Sequence, residues 1–178
     1  MEMSVGTIVT IVLLMTVLIL GLVLVRTIFR SSVENIEGID QAVKNEINKL
    51  FAEDSLRKTV VYPATRKITI KKGDENLGFG FSIRNTGETQ ESFSYDVSAV
   101  EASCGISLDT ADGYITLGKS RSGVTLPAGS FMEDPIFVRY NIPENAPPCQ
   151  IRYSIGVTDS TGGAYGVPLD VDVEIRSS

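Results

Sequence analysis

The first feature of the chain is an uncharged apolar run between Glu2 and Arg26. Its 23 residues include 17 with large apolar side chains. At ~1.5 Å per residue, a helix over residues 3–25 measures roughly 35 Å, enough to cross about 30 Å of hydrocarbon. Leaving these side chains in water would cost about 1.5–3 kcal/mol each. The run therefore predicts a helix that lies in lipid or in a bundle with copies of itself.

After Arg30 the pattern becomes amphipathic. Apolar residues recur at spacings of three and four, which is typical of one helix face. We call residues 31–52 the stalk, and its predicted apolar face comprises Val33, Ile36, Val43, Ile47 and Leu50. A kink is expected at Gly38, and this helical pattern ends at the latest at Pro63. Two interpretations are open: this face packs on the chain's own domain, or it contacts neighbouring subunits.

From about residue 59 onward the apolar positions alternate with polar ones. This period of two is typical of antiparallel strands with one buried face. The alternating sets lie at residues 68–70, 77–83, 93–97, 136–142, 151–157 and 169–175. Turn residues separate them, and residues 120–125 are expected to form a loop. The pattern predicts an α+β chain, with the helix in residues 1–57 and a β-sandwich of seven to nine antiparallel strands in residues 58–178.

Composition narrows the function. The 178 residues carry a formal net charge of −6, and an acidic surface argues against nucleic acid as a partner. Histidine is absent from the sequence, which removes the main ingredient of common catalytic triads and zinc sites. Residues 109–113 contain two aspartates but lack EF-hand spacing, so a plain turn is expected there. We therefore predict no enzyme, no cofactor and no metal site.

The chain has two cysteines, Cys104 and Cys149. A cysteine pair in an exported domain most often forms a disulfide, and two buried free thiols are the alternative. Closing a loop of this length would stabilise the fold by about 4 kcal/mol in the chain-entropy model. We predict a disulfide between the two.

Two parts of the β region resemble Ig-like domains of archaeal cell-surface proteins. Residues 80–87 (GFSIRNTG) are similar to a strand followed by the turn of those domains. Residues 126–130 (LPAGS), 138–143 (VRYNIP) and 146–148 (APP) are similar to a second stretch. Cys149 stands where the family usually places glycine. The resemblance covers about half of the domain and implies an Ig-like sandwich.

The order of the parts resembles archaeal type IV pilins and archaellins. In that family a basic leader is removed just before the apolar helix, and we expect that such a leader once preceded Met1. Such a leader would also resolve a conflict about location. By the positive-inside rule, Arg26 and Arg30 alone would place the β domain in the cytoplasm, whereas the domain is expected to be extracellular. One departure is that many type IV pilins have Glu at the fifth mature position, where this chain has Val5.

The resemblance implies a structural subunit, a pilin, of an extracellular homopolymeric filament of the type IV pilus kind that serves surface attachment. The subunit would be held in the membrane before assembly and would then contact copies of itself. The predicted assembly helix comprises Val5, Ile8, Ile11, Val12, Leu14, Met15, Leu18, Ile19, Leu22 and Val25. Two alternatives are open, an archaellin of a motility filament and a single-pass anchored Ig-like accessory protein of the archaellum base. No motif in the sequence indicates which surface ligand the filament would bind.

Overall fold

The computed structural model describes the backbone of residues 5–73 and 75–177, and the side chains of residues 6–23, 41–73 and 77–177. One long helix, α1 (Val5–Glu53), is followed by two β-sheets, which confirms the α+β class. The helix is continuous through Gly38. The chain divides within α1 into two compact units, Met1–Ala42 and Val43–Ser178. The division falls before the predicted boundary at residue 58 because the last helical residues pack on a sheet.

The strands, in chain order, are β1 (Thr59–Tyr62), β2 (Lys67–Lys71), β3 (Glu75–Ile83), β4 (Glu91–Ala102), β5 (Ile115–Leu117), β6 (Ser120–Leu126), β7 (Ile136–Asn141), β8 (Cys149–Thr158) and β9 (Leu169–Arg176). The first sheet has the order β1-β3-β7-β5, and the second has the order β2-β9-β8-β4-β6. A short helix, α2 (Leu108–Asp112), lies between β4 and β5.

The pairing of β2 corrects the prediction that every strand is antiparallel. This strand runs parallel to β9, with Lys67 opposite Asp172 and Ile70 opposite Ile175. The chain crosses from the first sheet to the second between β1 and β2. Strand β2 then forms the edge of the second sheet and pairs with β9, the last strand in the sequence. Alternation could not reveal this, because parallel and antiparallel strands share the same period of two.

Two short segments also differ from expectation. Residues 120–125, expected as a loop, belong to β6, which is an edge strand with only Val124 and Leu126 buried. The expected turn at residues 109–113 overlaps α2, whose N-terminus is capped because the Thr110 N–H donates to Ser107 Oγ at 3.1 Å. In this helix Asp112 accepts a hydrogen bond of 2.6 Å from the Ala99 N–H. Local hydrogen bonds therefore replace the plain turn.

The two sheets face each other across a common apolar core. The rings of Phe81 and Tyr95 meet edge-on at 5.1 Å, and those of Tyr140 and Tyr153 lie 5.0 Å apart, each pair joining one sheet to the other. The Tyr153 hydroxyl donates to the Ala111 carbonyl at 2.7 Å. Burial raises the pKa of Tyr140 well above its ordinary value. The phenols therefore remain neutral parts of the core.

The C-terminal part of α1 covers the opposite, outer face of the first sheet. Four helical residues are buried there together with Val60 of β1: Val43, Ile47, Leu50 and Phe51. Tyr62, Phe131 and Phe137 pack around them. Three members of the predicted stalk face thus pack on the chain's own domain, as the first interpretation states. The side chains of Val33 and Ile36 lie outside the described residues.

The predicted disulfide between Cys104 and Cys149 is confirmed, with their Cα atoms 5.2 Å apart. It joins the segment that follows β4 to the first residue of β8, and these two strands are neighbours in the second sheet. The Ser103 N–H donates to the Gln150 carbonyl beside it at 3.0 Å. The bridge therefore closes the end of an existing strand pair and links two residues that are 45 positions apart in sequence.

Candidate functional site: an exposed apolar helix

The N-terminal part of α1 is an apolar surface that nothing in the described chain covers. The segment Gly6–Val23 has a mean hydropathy of 2.7, and none of its residues is buried. Its large apolar side chains are between 48% exposed, at Ile8, and 68% exposed, at Leu20. A helix of 18 such residues is long and apolar enough to cross a membrane. The segment is therefore a candidate surface for contact with lipid or with another apolar helix.

Two hydroxyl groups of this segment donate hydrogen bonds within the helix itself. Thr10 Oγ1 donates to the Gly6 carbonyl at 2.8 Å, and Thr16 Oγ1 donates to the Leu13 carbonyl at 2.8 Å. Because each of these hydroxyl groups donates to a carbonyl of the preceding turn, neither needs a water molecule as its acceptor. The segment can therefore enter an apolar environment without leaving these donors unpaired.

A shallow groove of about 250 Å³ runs along one side of this helix. It is lined by residues at spacings of three and four, namely Ile11, Leu14, Met15, Leu18 and Ile19. Residues at such spacings form the ridges and grooves through which helices pack. A Cβ added at Gly21 would meet no atom within 4 Å, so the backbone there is also open. The helix thus presents a shaped apolar surface.

The structure brings most residues of the predicted assembly helix onto this surface. Those with exposed side chains are Ile8, Ile11, Val12, Leu14, Met15, Leu18, Ile19 and Leu22. The side chains of Val5 and Val25 lie outside the described residues. The arrangement can take part in apolar association, and whether that association is with lipid or with copies of the chain stays a prediction.

The sequence pattern did not predict the contacts that fix the end of α1 on the sheet. The guanidinium of Arg84 lies 4.5 Å from the ring centre of Phe51 and 5.4 Å from that of Phe131. Its Nη1 donates to the Asp54 carbonyl at 3.3 Å, next to the helix terminus. Phe51 follows Ile47 by four positions, and this spacing was the signal that could have added it to the stalk face.

An ion pair supports the same contact. Lys44 Nζ on α1 lies 2.8 Å from Asp134 Oδ1 in the loop before β7. The hydrogen bond from this ammonium to Asp134 raises the pKa of Lys44. The side chain of Asp134 is 93% exposed, so the pair is screened by water and contributes little to stability. Apolar packing therefore holds the helix end, and the ion pair helps to orient it.

No family model and no curated protein matches the chain. Solved structures to which the chain shows some similarity include a family 123 glycoside hydrolase from Clostridium perfringens, with 15% identity, a TM-score of 0.46, and coverage of 63% of this chain and 23% of that one. Another is WR4, an MSP family member of C. elegans, with 9% identity, a TM-score of 0.38, and coverage of 68% of this chain and 98% of that one.

A third is the alkylpurine DNA glycosylase AlkC of Pseudomonas fluorescens, with 18% identity, a TM-score of 0.35, and coverage of 66% of this chain and 29% of that one. The chain thus spans about a quarter of the length of the glycoside hydrolase and under a third of the glycosylase. These similarities are too low to carry a functional argument.

Proposed function

We propose that this chain is the structural subunit, a pilin, of an extracellular homopolymeric filament of the type IV pilus kind. The observation that carries the proposal is the uncovered apolar segment Gly6–Val23. In the filament, this segment of many copies forms the core and the β domains coat the outside. Before assembly, the same segment holds the subunit in the membrane. The exposed filament then serves surface attachment.

The energetics favour a stable partner for this segment. Thirteen of its large apolar side chains are at least 48% exposed, from Ile8 to Val23. At roughly 1.5–3 kcal/mol for each full burial, covering them stabilises an assembly by tens of kcal/mol. A helix that is apolar on all sides needs partners on all sides, as the centre of a bundle or lipid provides. The uncovered segment therefore supports both assembly and membrane anchoring.

The β domain supports a location outside the cytoplasm. The disulfide between Cys104 and Cys149 is typical of oxidising compartments. We propose that the two facing sheets form an Ig-like sandwich, as the resemblance of residues 80–87 implies. The absence of histidine from the sequence supports a structural role over a catalytic one.

Two alternatives share the same helix. An archaellin would assemble similarly into a motility filament. An accessory protein of the archaellum base would keep the helix in lipid. The continuous 18-residue apolar span supports this permanent anchor as well as it supports a filament subunit that is held in the membrane before assembly. The alternatives differ in what surrounds Leu14 and Leu18: protein side chains in a filament, lipid tails in an anchored monomer.

Electron microscopy of native surface material tests the proposal. Filaments that contain this chain as their main protein, identified by mass spectrometry of the purified material, are the expected result. Loss of the filaments on deletion of the chain, and their return on its re-expression, complete the test. Recovery of the chain only as membrane-bound monomers or small oligomers contradicts the filament and favours the anchored accessory protein.

A further inference from the structure

A cavity of about 700 Å³ lies within the Val43–Ser178 unit, between the end of α1, strand β1 and the loop before β9. Its volume falls within the range of about 300–1,000 Å³ that is typical of binding pockets. Its lining combines cationic side chains, an exposed apolar side chain and the edge of a sheet. These three features together indicate the chemistry of what it binds.

The charge of the cavity is opposite to that of the whole chain. Arg57, Lys58 and Arg66 line it, against the single carboxylate of Glu53, whereas the chain carries a net charge of −6. Lys58 Nζ lies 4.4 Å from the ring centre of Tyr165. Three cations at one opening attract carboxylates, phosphates or sulfates. The cavity is therefore suited to an anionic partner.

Arg66 is the cation most available to such a partner. Arg57 lies 3.3 Å from Asp54, but within the described part of the chain the Arg66 side chain has no ion pair or hydrogen bond. The backbone of Arg66 has a φ of 54°, a conformation that disfavours residues other than glycine. Two hydrogen bonds hold it there: its N–H donates to the Pro63 carbonyl at 2.8 Å, and its carbonyl accepts from the Asp172 N–H at 2.9 Å. The guanidinium is thus carried on a fixed turn.

The cavity also exposes the edge of a sheet. β1 is the outermost strand of the first sheet and, among the described residues, pairs with β3 alone. Thr59 faces Ile83, whose carbonyl accepts from the Met132 N–H at 3.0 Å and so points away from β1. In an antiparallel pair, the polar groups of such facing residues both point outward. The backbone N–H and C=O of Thr59, and those of Val61 two residues on, therefore face the open edge.

The cavity has an apolar wall as well. Val167, in the loop before β9, lines it with 85% of its side chain exposed to water. An exposed valine gains free energy when a partner covers it. A small inorganic anion would pair with the cations but would leave this valine and the strand edge uncovered.

We propose that this cavity is a docking site for an extended acidic segment of another protein, which adds as a strand to β1. Main-chain hydrogen bonds to Thr59 and Val61 supply the pairing, as in strand addition generally. Carboxylates of the segment meet Arg66 and its neighbouring cations, and an apolar side chain covers Val167. This site is independent of the proposed filament.

The charge pattern of the chain argues for a different protein over a second copy. The acidic strand of the chain is β9, with Asp170, Asp172 and Glu174. It lies between β2 and β8, so both of its backbone edges are already paired. A second copy therefore cannot offer this strand to the cavity, whereas an acidic segment of another protein can.

Binding of a synthetic peptide to the full chain in detergent micelles tests the proposal. The probe alternates glutamate and valine, and its matched control alternates lysine and valine. The acidic peptide should bind and the basic one should not. Arg66→Glu should weaken binding by about tenfold or more, equivalent to about 1.4 kcal/mol. Arg121→Glu, a matched charge reversal on β6, should leave it unchanged.

A second variant tests strand addition separately from charge. Thr59→Pro removes an N–H that points away from β3, so it should weaken peptide binding while leaving the β1–β3 hydrogen bonds in place. Thermal unfolding of each variant checks that the domain is folded. Equal binding to Thr59→Pro, or free glutamate binding as tightly as the peptide, would show a simple anion site and overturn the proposal. Dimerisation of the chain that Arg66→Glu abolishes would make a second copy the occupant and also overturn it.

Discussion

Gly80 of β3 lies directly beneath Val43 of α1, and the contact leaves no room for a side chain on the strand. A Cβ built on Gly80 would be 2.6 Å from Val43 Cγ1 and 3.7 Å from Ile47 Cδ1. On the sheet, Gly80 is flanked by Tyr62 on one side and Phe137 on the other. The absence of a side chain at this single position therefore lets the helix end approach the outer face of the first sheet.

Gly80→Ala should destabilise the Val43–Ser178 unit by about 1–3 kcal/mol, the usual cost of overpacking a core. Val43 is branched and stiff in a helix, so it cannot simply rotate away. Chemical unfolding of the full chain in detergent measures the change. Gly156→Ala is the matched control, because a Cβ there would meet only the Asp96 carbonyl oxygen at 4.0 Å.

A second substitution tests the cause of the Gly80 effect. In the background of Gly80→Ala, Val43→Ala should recover part of the lost stability because it removes the clashing methyl groups, whereas alone it should destabilise. A double-mutant cycle gives the coupling between the two positions. Additive effects would mean that the helix end does not rest on Gly80 in solution.

Loss of the disulfide should lower the free energy of unfolding by about 2–4 kcal/mol. The cost is expected because Cys104 and Cys149 are 45 positions apart, and the bridge restricts the conformations of the chain between them in the unfolded state. Unfolding of the chain with both cysteines changed to serine measures it. Reductant should reproduce the effect in the natural chain and add nothing in the double variant. An unchanged unfolding midpoint after complete reduction would contradict the expectation.

The apolar helix gives a prediction that separates filament from lipid. Leu18→Ala leaves the segment apolar enough to insert in a membrane but creates a cavity in a packed protein core, at a cost of about 2–5 kcal/mol per subunit. Filaments should therefore dissociate at lower temperature or detergent concentration. Leu18→Met, which nearly conserves volume, is the control. Filaments of unchanged stability would show that Leu18 does not face a protein core.

A stronger change in the same helix should prevent assembly. Leu14→Asp places a carboxylate in an apolar contact, and burying an unpaired charge costs several kcal/mol. Because the change also weakens membrane insertion, the level of membrane-bound subunit must be measured alongside the filaments. Normal membrane levels without filaments would indicate a defect in assembly, whereas normal filaments would contradict a buried position for Leu14.

The turn at Asp159 predicts a stability change at acid pH. Its Oδ1 accepts hydrogen bonds from the Thr161 hydroxyl at 2.6 Å and from the Gly163 N–H at 3.0 Å. These bonds hold the pKa of Asp159 below its ordinary value of 3.8, and the bond from the Thr161 hydroxyl has the largest effect. A lowered folded-state pKa means that this contribution is present above pH 3.8 and is lost as the pH falls through the folded value. Asp159→Asn should flatten that part of the stability profile.

An NMR titration of the Asp159 carboxyl measures the cause directly. Thr161→Val removes the hydroxyl donor but keeps the backbone N–H, so the pKa of Asp159 should rise toward 3.8. A titration midpoint that is the same with and without the hydroxyl would contradict the assignment.

The sequence by itself determined the features that depend on local periodicity or on a small number of candidates. The uncharged run predicted the apolar helix, because a helix that is apolar on all sides has apolar residues at nearly every position and can be recognised without its partners. Alternation predicted strands such as β4 and β8, where buried and exposed positions follow each other regularly. The disulfide followed because Cys104 and Cys149 are the only cysteines of the sequence.

The tertiary structure alone decided how distant segments meet. The parallel pairing of β2 with β9, the contact of Gly80 with Val43, and the meeting of Arg66 and Val167 at one cavity each join residues far apart in sequence. Periodicity reports which face of an element is buried, but the partner is selected by packing and hydrogen bonding over the whole fold. The edge strand β6 escaped prediction for a related reason, since a strand with two buried side chains leaves almost no pattern.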